Sequence, residues 1–124
     1  MKLFLMLGSI SGLLSVALGA FGAHALKERL DEYSLGIFHT GVTYQTTHAL
    51  AMIIVALLIK WYPDSSGLQW AGWSFLVGTL IFSGSLYALA MSGIKVLGAI
   101  TPIGGVLFIV GWALLVIHAW KIAS

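Results

Sequence analysis

Polar positions along the chain gather into short knots, and the runs between them are long and apolar. The knots are Lys27-Glu28-Arg29-Leu30-Asp31-Glu32, the turn Lys60-Trp61-Tyr62-Pro63-Asp64-Ser65-Ser66-Gly67, and a break around Gly93-Ile94-Lys95. About 20 apolar residues cross the hydrocarbon core of a bilayer, so the pattern predicts four spans at about residues 3–26, 34–60, 68–92 and 97–120. Short connections make consecutive helices antiparallel neighbours. The expected fold is all-α: a single domain over residues 1–124, an integral membrane four-helix bundle of up-down-up-down topology with both termini on one face. Lys2, the apolar run after it and Ala23-His24-Ala25 together imitate a secretory leader with its cleavage site. The apolar stretch is longer than a leader's, and it reads as a retained helix.

The fourth span opens with Gly98-Ala99-Ile100-Thr101-Pro102-Ile103-Gly104-Gly105. Thr followed by Pro suits the cap and the first position of a helix. The fourth helix is therefore expected to be irregular or kinked near Thr101-Pro102, with Lys95 to Ile100 forming an extended or re-entrant approach. Irregular backbone at membrane depth survives only inside protein or beside a watery cavity, and a plain proline kink packed on glycine is the simpler alternative.

Composition agrees with the pattern and removes other classes. Hydrophobic residues are 60% of the chain and charged ones 8%, where a soluble domain carries about 25% charged. A domain of 124 residues has too little interior to hide that surface, and the mean hydropathy is +1.03. A soluble globule, a disordered tail and a nucleic-acid binder are all excluded. The net charge of +2 comes from scattered cations, which assemble no phosphate-binding patch. The absence of cysteine removes disulfides, thiolate metal sites and cysteine nucleophiles. Lys2, Lys60 and Lys121 fall on the terminal side and Lys27, Arg29 and Lys95 on the other, a three–three tie. The positive-inside rule thus hardly orients the protein: both termini cytoplasmic is favoured, with dual topology as the alternative. Trp61, Tyr62, Trp70 and Trp120 form an aromatic belt on the terminal side.

Two helix faces stand out. Gly8, Gly12, Ser15, Gly19 and Gly22 of the first helix all fall within about 40° of Gly8, a small-residue stripe of the kind that lets membrane helices pack closely. The third helix has a looser version in Ser74, Gly78, Ser85, Ala88 and Ser92. The second helix is the polar one, with Gly41, Tyr44, Gln45, Ala51 and Met52 within about 60° of His48. His48 sits near the bilayer middle, where a polar side chain must find a partner in the bundle. Thr43, Thr46 and His39 point the other way, His24 ends the first helix, and His118 lies near the opposite face.

The chemistry missing from the spans is informative. They contain no acid, so a proton-coupled exporter of the small multidrug type lacks its membrane carboxylate. There is no paired carboxylate site, no H-E-x-x-H and no serine–histidine–acid set at one depth. A haem held by His24 and His39 is conceivable, but structural histidine explains the pair better. No cofactor and no metal are expected.

Four ordered stretches carry a resemblance. They are Gly19-Ala20-Phe21-Gly22-Ala23-His24, Tyr44-Gln45 with His48-Ala49-Leu50, Phe82-Ser83-Gly84-Ser85-Leu86-Tyr87, and Lys95-Val96-Leu97-Gly98-Ala99-Ile100-Thr101-Pro102-Ile103-Gly104-Gly105. Together they resemble the UPF0382 family, also called domain of unknown function 423. It comprises YwdK-type small membrane proteins, with transmembrane protein 256 a distant animal relative. The resemblance implies a four-span, multi-pass protein of the bacterial plasma membrane and supplies no activity. Its motif positions fall on Gly19, Gly22, His24, Tyr44, Gln45, His48, Ser83, Tyr87, Thr101, Pro102, Gly104 and Gly105, and leave out His39 and His118.

The polar face and these motifs lead to His24, Tyr44, Gln45, His48, Thr101, Gly104 and Gly105 as ligand-binding candidates. His24 and His48 would exchange hydrogen bonds with the ligand, and Thr101 would cap the fourth helix beside it. No residue is assigned as catalytic. The first reading is a non-enzymatic protein whose His/Gln/Thr cluster binds a small ligand or lipid headgroup, or fixes a bundle that partners another membrane protein. Its expected partners are the lipid bilayer and a homo-oligomer or membrane-protein partner, with no nucleic acid. One alternative is a small oligomeric transporter or channel. A second is a lipid-modifying enzyme with a histidine base, which lacks a nucleophile, a metal set and a second base.

Overall fold

A computed structural model describes residues 1–123. Its helices are α1 (Lys2–His24), α2 (Glu32–Trp61), α3 (Ser66–Ser92) and α4 (Thr101–Ala123), each long and apolar enough to cross a membrane. There is no strand among the described residues. A short 3-10 helix, Lys95–Ala99, leads from α3 into α4.

The helix ends follow from local chemistry. Asp31 caps α2 by accepting a hydrogen bond from the Ser34 N–H at 2.7 Å. That backbone N–H stabilises the charged carboxylate and holds Asp31 below its ordinary value. Ser65 caps α3 through Leu68 N–H at 3.3 Å. Gly93 ends α3 with φ of +71°, a left-handed conformation that a side chain would strain. The chain after it does not re-enter the bundle: Lys95–Ala99 winds as a mostly exposed 3-10 helix. The irregularity of the fourth span thus lies ahead of α4, and Pro102 falls in the first turn, where its missing N–H breaks no helical bond.

α2 and α3 form a central pair, with α1 resting chiefly on α2 and α4 chiefly on α3. α1 reaches α3 at one end, where Phe4 packs edge-on to Trp73. α4 reaches α2 where Trp112 meets His48. The outer helices therefore flank the pair and turn most of their surface to lipid. Only 17% of the apolar stretch of α1 and of α4 is buried, against 44% for α2 and for α3.

Small residues set how closely the helices approach. On α1, Gly8 and Gly12 face Ala49, Gly19 faces Val42, and Gly22 lies under the Phe38 ring. Ser15 is buried and donates to the Gly12 carbonyl at 2.7 Å. A Cβ on Gly104 would stand 2.5 Å from the Phe82 backbone nitrogen, so α4 begins with its backbone against that of α3. Two apolar clusters result, one around Phe4, Met52, Val55, Leu68, Phe75 and Phe108, the other around Leu26, Phe38 and Ala90. Between them runs a polar layer holding Ser11, Gln45, His48 and Ser83, all buried.

Gly104→Ala must push the α3 and α4 backbones apart and is expected to cost about 1–3 kcal/mol, the range for overpacking. Gly36, in α2, has nothing within 4 Å of where a Cβ would sit. Gly36→Ala is expected to stabilise by up to about 1 kcal/mol through helix propensity alone. Reversible unfolding in detergent micelles, read by helical circular dichroism, checks both signs.

Candidate functional site

The repeat of α2 turns Gly41, Gln45, His48 and Met52 into the bundle and leaves Tyr44 at the edge of that face. Gln45 ties three helices together. Its Nε2 donates to the Ser11 carbonyl of α1 at 2.9 Å, and its Oε1 accepts from the Tyr87 hydroxyl of α3 at 2.6 Å. Glycine at 41 makes this reach feasible, since a Cβ there would lie 2.7 Å from the Tyr87 ring. One turn away, the Ser83 hydroxyl donates to the Gly41 carbonyl at 2.7 Å.

His48 is held at both nitrogens. Nε2 lies 3.0 Å from the Trp112 indole N–H, and Nδ1 lies 2.8 Å from the Tyr44 carbonyl. An indole only donates and a carbonyl only accepts. The arrangement therefore selects the neutral tautomer with its proton on Nδ1. The ring also stacks on Phe108 with centroids 3.6 Å apart. So bonded, the imidazole has neither a free lone pair nor a free proton to offer a ligand.

Tyr44 differs. Its side chain is 41% exposed although it sits midway along a membrane-length helix. Its ring packs 4.4 Å from Phe82 and lies parallel to Phe108 at 6.1 Å. The hydroxyl has no hydrogen-bond partner among the described residues. Tyr44 and His48 form one side of a lateral cleft of about 410 Å³ between α2 and α4, which Pro102, Gly105, Phe108 and Trp112 of α4 and Phe82 of α3 also line.

The residues singled out from sequence thus separate. Tyr44, His48 and Gly105 meet at this cleft. Gln45 shares the inward face of α2 but bonds toward α1 and α3, away from the cleft. Gly104 is buried against α3. Thr101 is the first residue of α4, and its hydroxyl meets Ser85 Oγ at 2.6 Å. Ser85 directs its own proton to the Phe82 carbonyl, so Thr101 donates, joining α4 to α3 instead of facing a ligand. His24 is exposed at the end of α1, away from the layer. Sequence reasoning missed Trp112, and treated Tyr87 as a motif position without seeing it as the partner of Gln45. The signal for Trp112 was its depth, because tryptophan in membrane proteins concentrates at the interfaces and this one lies mid-span with an N–H to satisfy.

A double-mutant cycle over Gln45→Leu and Tyr87→Phe is expected to give a coupling of about 0.6–1.7 kcal/mol, the range for hydrogen bonds between membrane helices. Unfolding in mixed micelles measures it, and strict additivity would show that the two side chains do not interact.

Comparison with known proteins places these features in a family. The model of DUF423, a protein of unknown function, matches residues 18–105, a stretch that contains Tyr44, Gln45, His48, Tyr87 and Gly105. A UPF0382 membrane protein of Staphylococcus aureus is 46% identical over 124 residues, covering all of both chains. One from Staphylococcus epidermidis is 45% identical over the same full length. The UPF0382 membrane protein YwdK of Bacillus subtilis is 46% identical over 121 residues, 98% of each chain. No solved structure matches the chain. With four helices fit to span a bilayer and full-length relatives that are membrane proteins, the chain belongs to the UPF0382 (DUF423) family of integral membrane proteins.

Proposed function

We propose that this protein binds a small membrane-soluble molecule in the lateral cleft between α2 and α4, without transforming it. The observation that carries the reading is the Tyr44 hydroxyl, which stands unbonded in an aromatic cleft at mid-span. Lipid tails offer such a group no partner, and tyrosine is favoured where its polar end is wet. A ligand with one carbonyl or hydroxyl oxygen would satisfy it. The rings of Phe82, Phe108 and Trp112 suit a flat or chain-like apolar body. His48 serves the cleft as a rigid floor, since both its nitrogens are engaged within the bundle.

Native mass spectrometry on protein extracted in mild detergent tests this directly. The wild type is expected to carry a discrete adduct distinct from bulk phospholipid. Tyr44→Phe should weaken it about tenfold, the worth of one hydrogen bond near 1.4 kcal/mol. Gly105→Leu should abolish it by filling the cleft. A Cβ at Gly105 makes only ordinary contact with Phe82, at 3.8 Å, and an unchanged helical circular dichroism spectrum is the check that the variant keeps the fold. An adduct indifferent to both substitutions, or none at all, contradicts the reading.

A further inference from the structure

The side of α2 turned away from the bundle carries an ordered seam. From Gly36 to Trp61, the positions reached by alternating steps of four and three are all exposed. The first four are small: Gly36, Thr40, Thr43 and Thr47. The last four are large: Leu50, Ile54, Leu57 and Trp61. At 100° per residue they all lie within about 60° of Gly36. Steps of four and three are the spacing by which two long helices pair along a common seam, and small residues on it let backbones approach in a membrane. Thr40 and Thr47 each donate to the carbonyl four residues earlier, so a helix laid on the seam need supply them no oxygen.

The order of sizes says what that helix is. Reversing a second α2 about the midpoint of the seam sets Thr47 opposite the second copy's Leu50 and Thr43 opposite its Ile54. The same operation sets Thr40 opposite Leu57 and Gly36 opposite Trp61. Every layer then pairs a small residue with a large one. A parallel pairing would instead stack large on large at one end and small on small at the other.

Charge favours the same direction. Glu32 in the first turn and Lys60 in the last are the charged residues of α2. Ahead of the helix, Lys27, Glu28, Arg29 and Asp31 cancel, and Asp64 lies past its end, where the chain turns toward α3. An antiparallel pair places the Glu32 end of each helix beside the Lys60 end of the other and opposes the two helix dipoles. A parallel pair would bring like charges together. In a bilayer an antiparallel pair of one chain requires both insertions, and the Lys/Arg tie between the two faces leaves both open.

We propose that two copies of this chain, inserted in opposite orientations, pair through α2 as an antiparallel homodimer. The same surface serves both copies, as two-fold symmetry demands. The seam shares no residue with the α2–α4 cleft, so the dimer and ligand binding there stand or fall separately.

The chain has no cysteine, which suits it to disulfide mapping in native membranes. Thr40→Cys and Leu57→Cys chains carrying different tags are co-expressed and oxidised. The dimer places each engineered thiol beside the other, whereas two copies of residue 40 stand about 25 Å apart along the helix axis. A mixed disulfide is therefore expected, with none from either variant expressed alone. Ser66→Cys, exposed at the start of α3, should be labelled by an impermeant maleimide in about half of the copies in spheroplasts. Self cross-linking of Thr40→Cys alone would reveal a parallel pair, and no cross-link in any combination would show that the seam is unpaired. Either result overturns the proposal, as does labelling of all copies or of none.

Discussion

Hydrocarbon offers no hydrogen bonds, and the arrangement of this bundle depends on that constraint. A polar side chain at mid-span must find its partner inside the protein, since an unsatisfied group there costs several kcal/mol. Gln45 answers the constraint with two bonds, to the Ser11 carbonyl and the Tyr87 hydroxyl, and so sets α1, α2 and α3 in register. His48 does the same for α4 through Trp112. Apolar packing among helices in lipid gives little preference for one rotation or depth over another. The polar layer supplies that preference, and the small residues on either side allow the backbones to come close enough for it to form.

The layer also explains how the molecule divides into settled and unsettled parts. Where the polar groups of α2 face α1 and α3, donors and acceptors match, and the side chains are buried. On the side facing α4 the match extends to His48 and stops at Tyr44, whose hydroxyl looks into an open cleft. The flanking position of α4 is the cause. A helix that packs chiefly on α3 covers α2 only where Trp112 and Phe108 reach across.

Much of the architecture was legible in the sequence because its cause is local. Uncharged runs of membrane length mark the four helices, and Pro63 with Gly67, or Gly93 beside Lys95, mark where they break. The inward turn of Gln45 and His48 follows from helical periodicity and the cost of an unpaired amide or imidazole in lipid. Which groups they would meet was hidden, because that depends on the relative rotation of four helices with nearly uniform apolar surfaces. Periodicity placed Tyr44, Gln45 and His48 together on one face, yet Gln45 and His48 bond in different directions. Thr101 read as a cap from its place before Pro102, but its hydroxyl joins Ser85 instead, a pairing across helices that no local pattern encodes. The 3-10 course of Lys95–Ala99 was masked for a related reason, since its apolar residues suit a membrane approach as well as a surface turn.

The central claim is that the polar groups of the layer are bonded to one another, with His48 locked by its neighbours. Solid-state NMR of ¹⁵N-histidine-labelled protein in lipid bilayers at neutral pH tests it most directly, with His48→Gln used to assign the resonances. The account predicts a neutral imidazole with the proton on Nδ1 and an Nε2 that accepts a hydrogen bond from the Trp112 indole. A His48 resonance pair showing a protonated Nε2, whether in the other neutral tautomer or in the imidazolium, would contradict it.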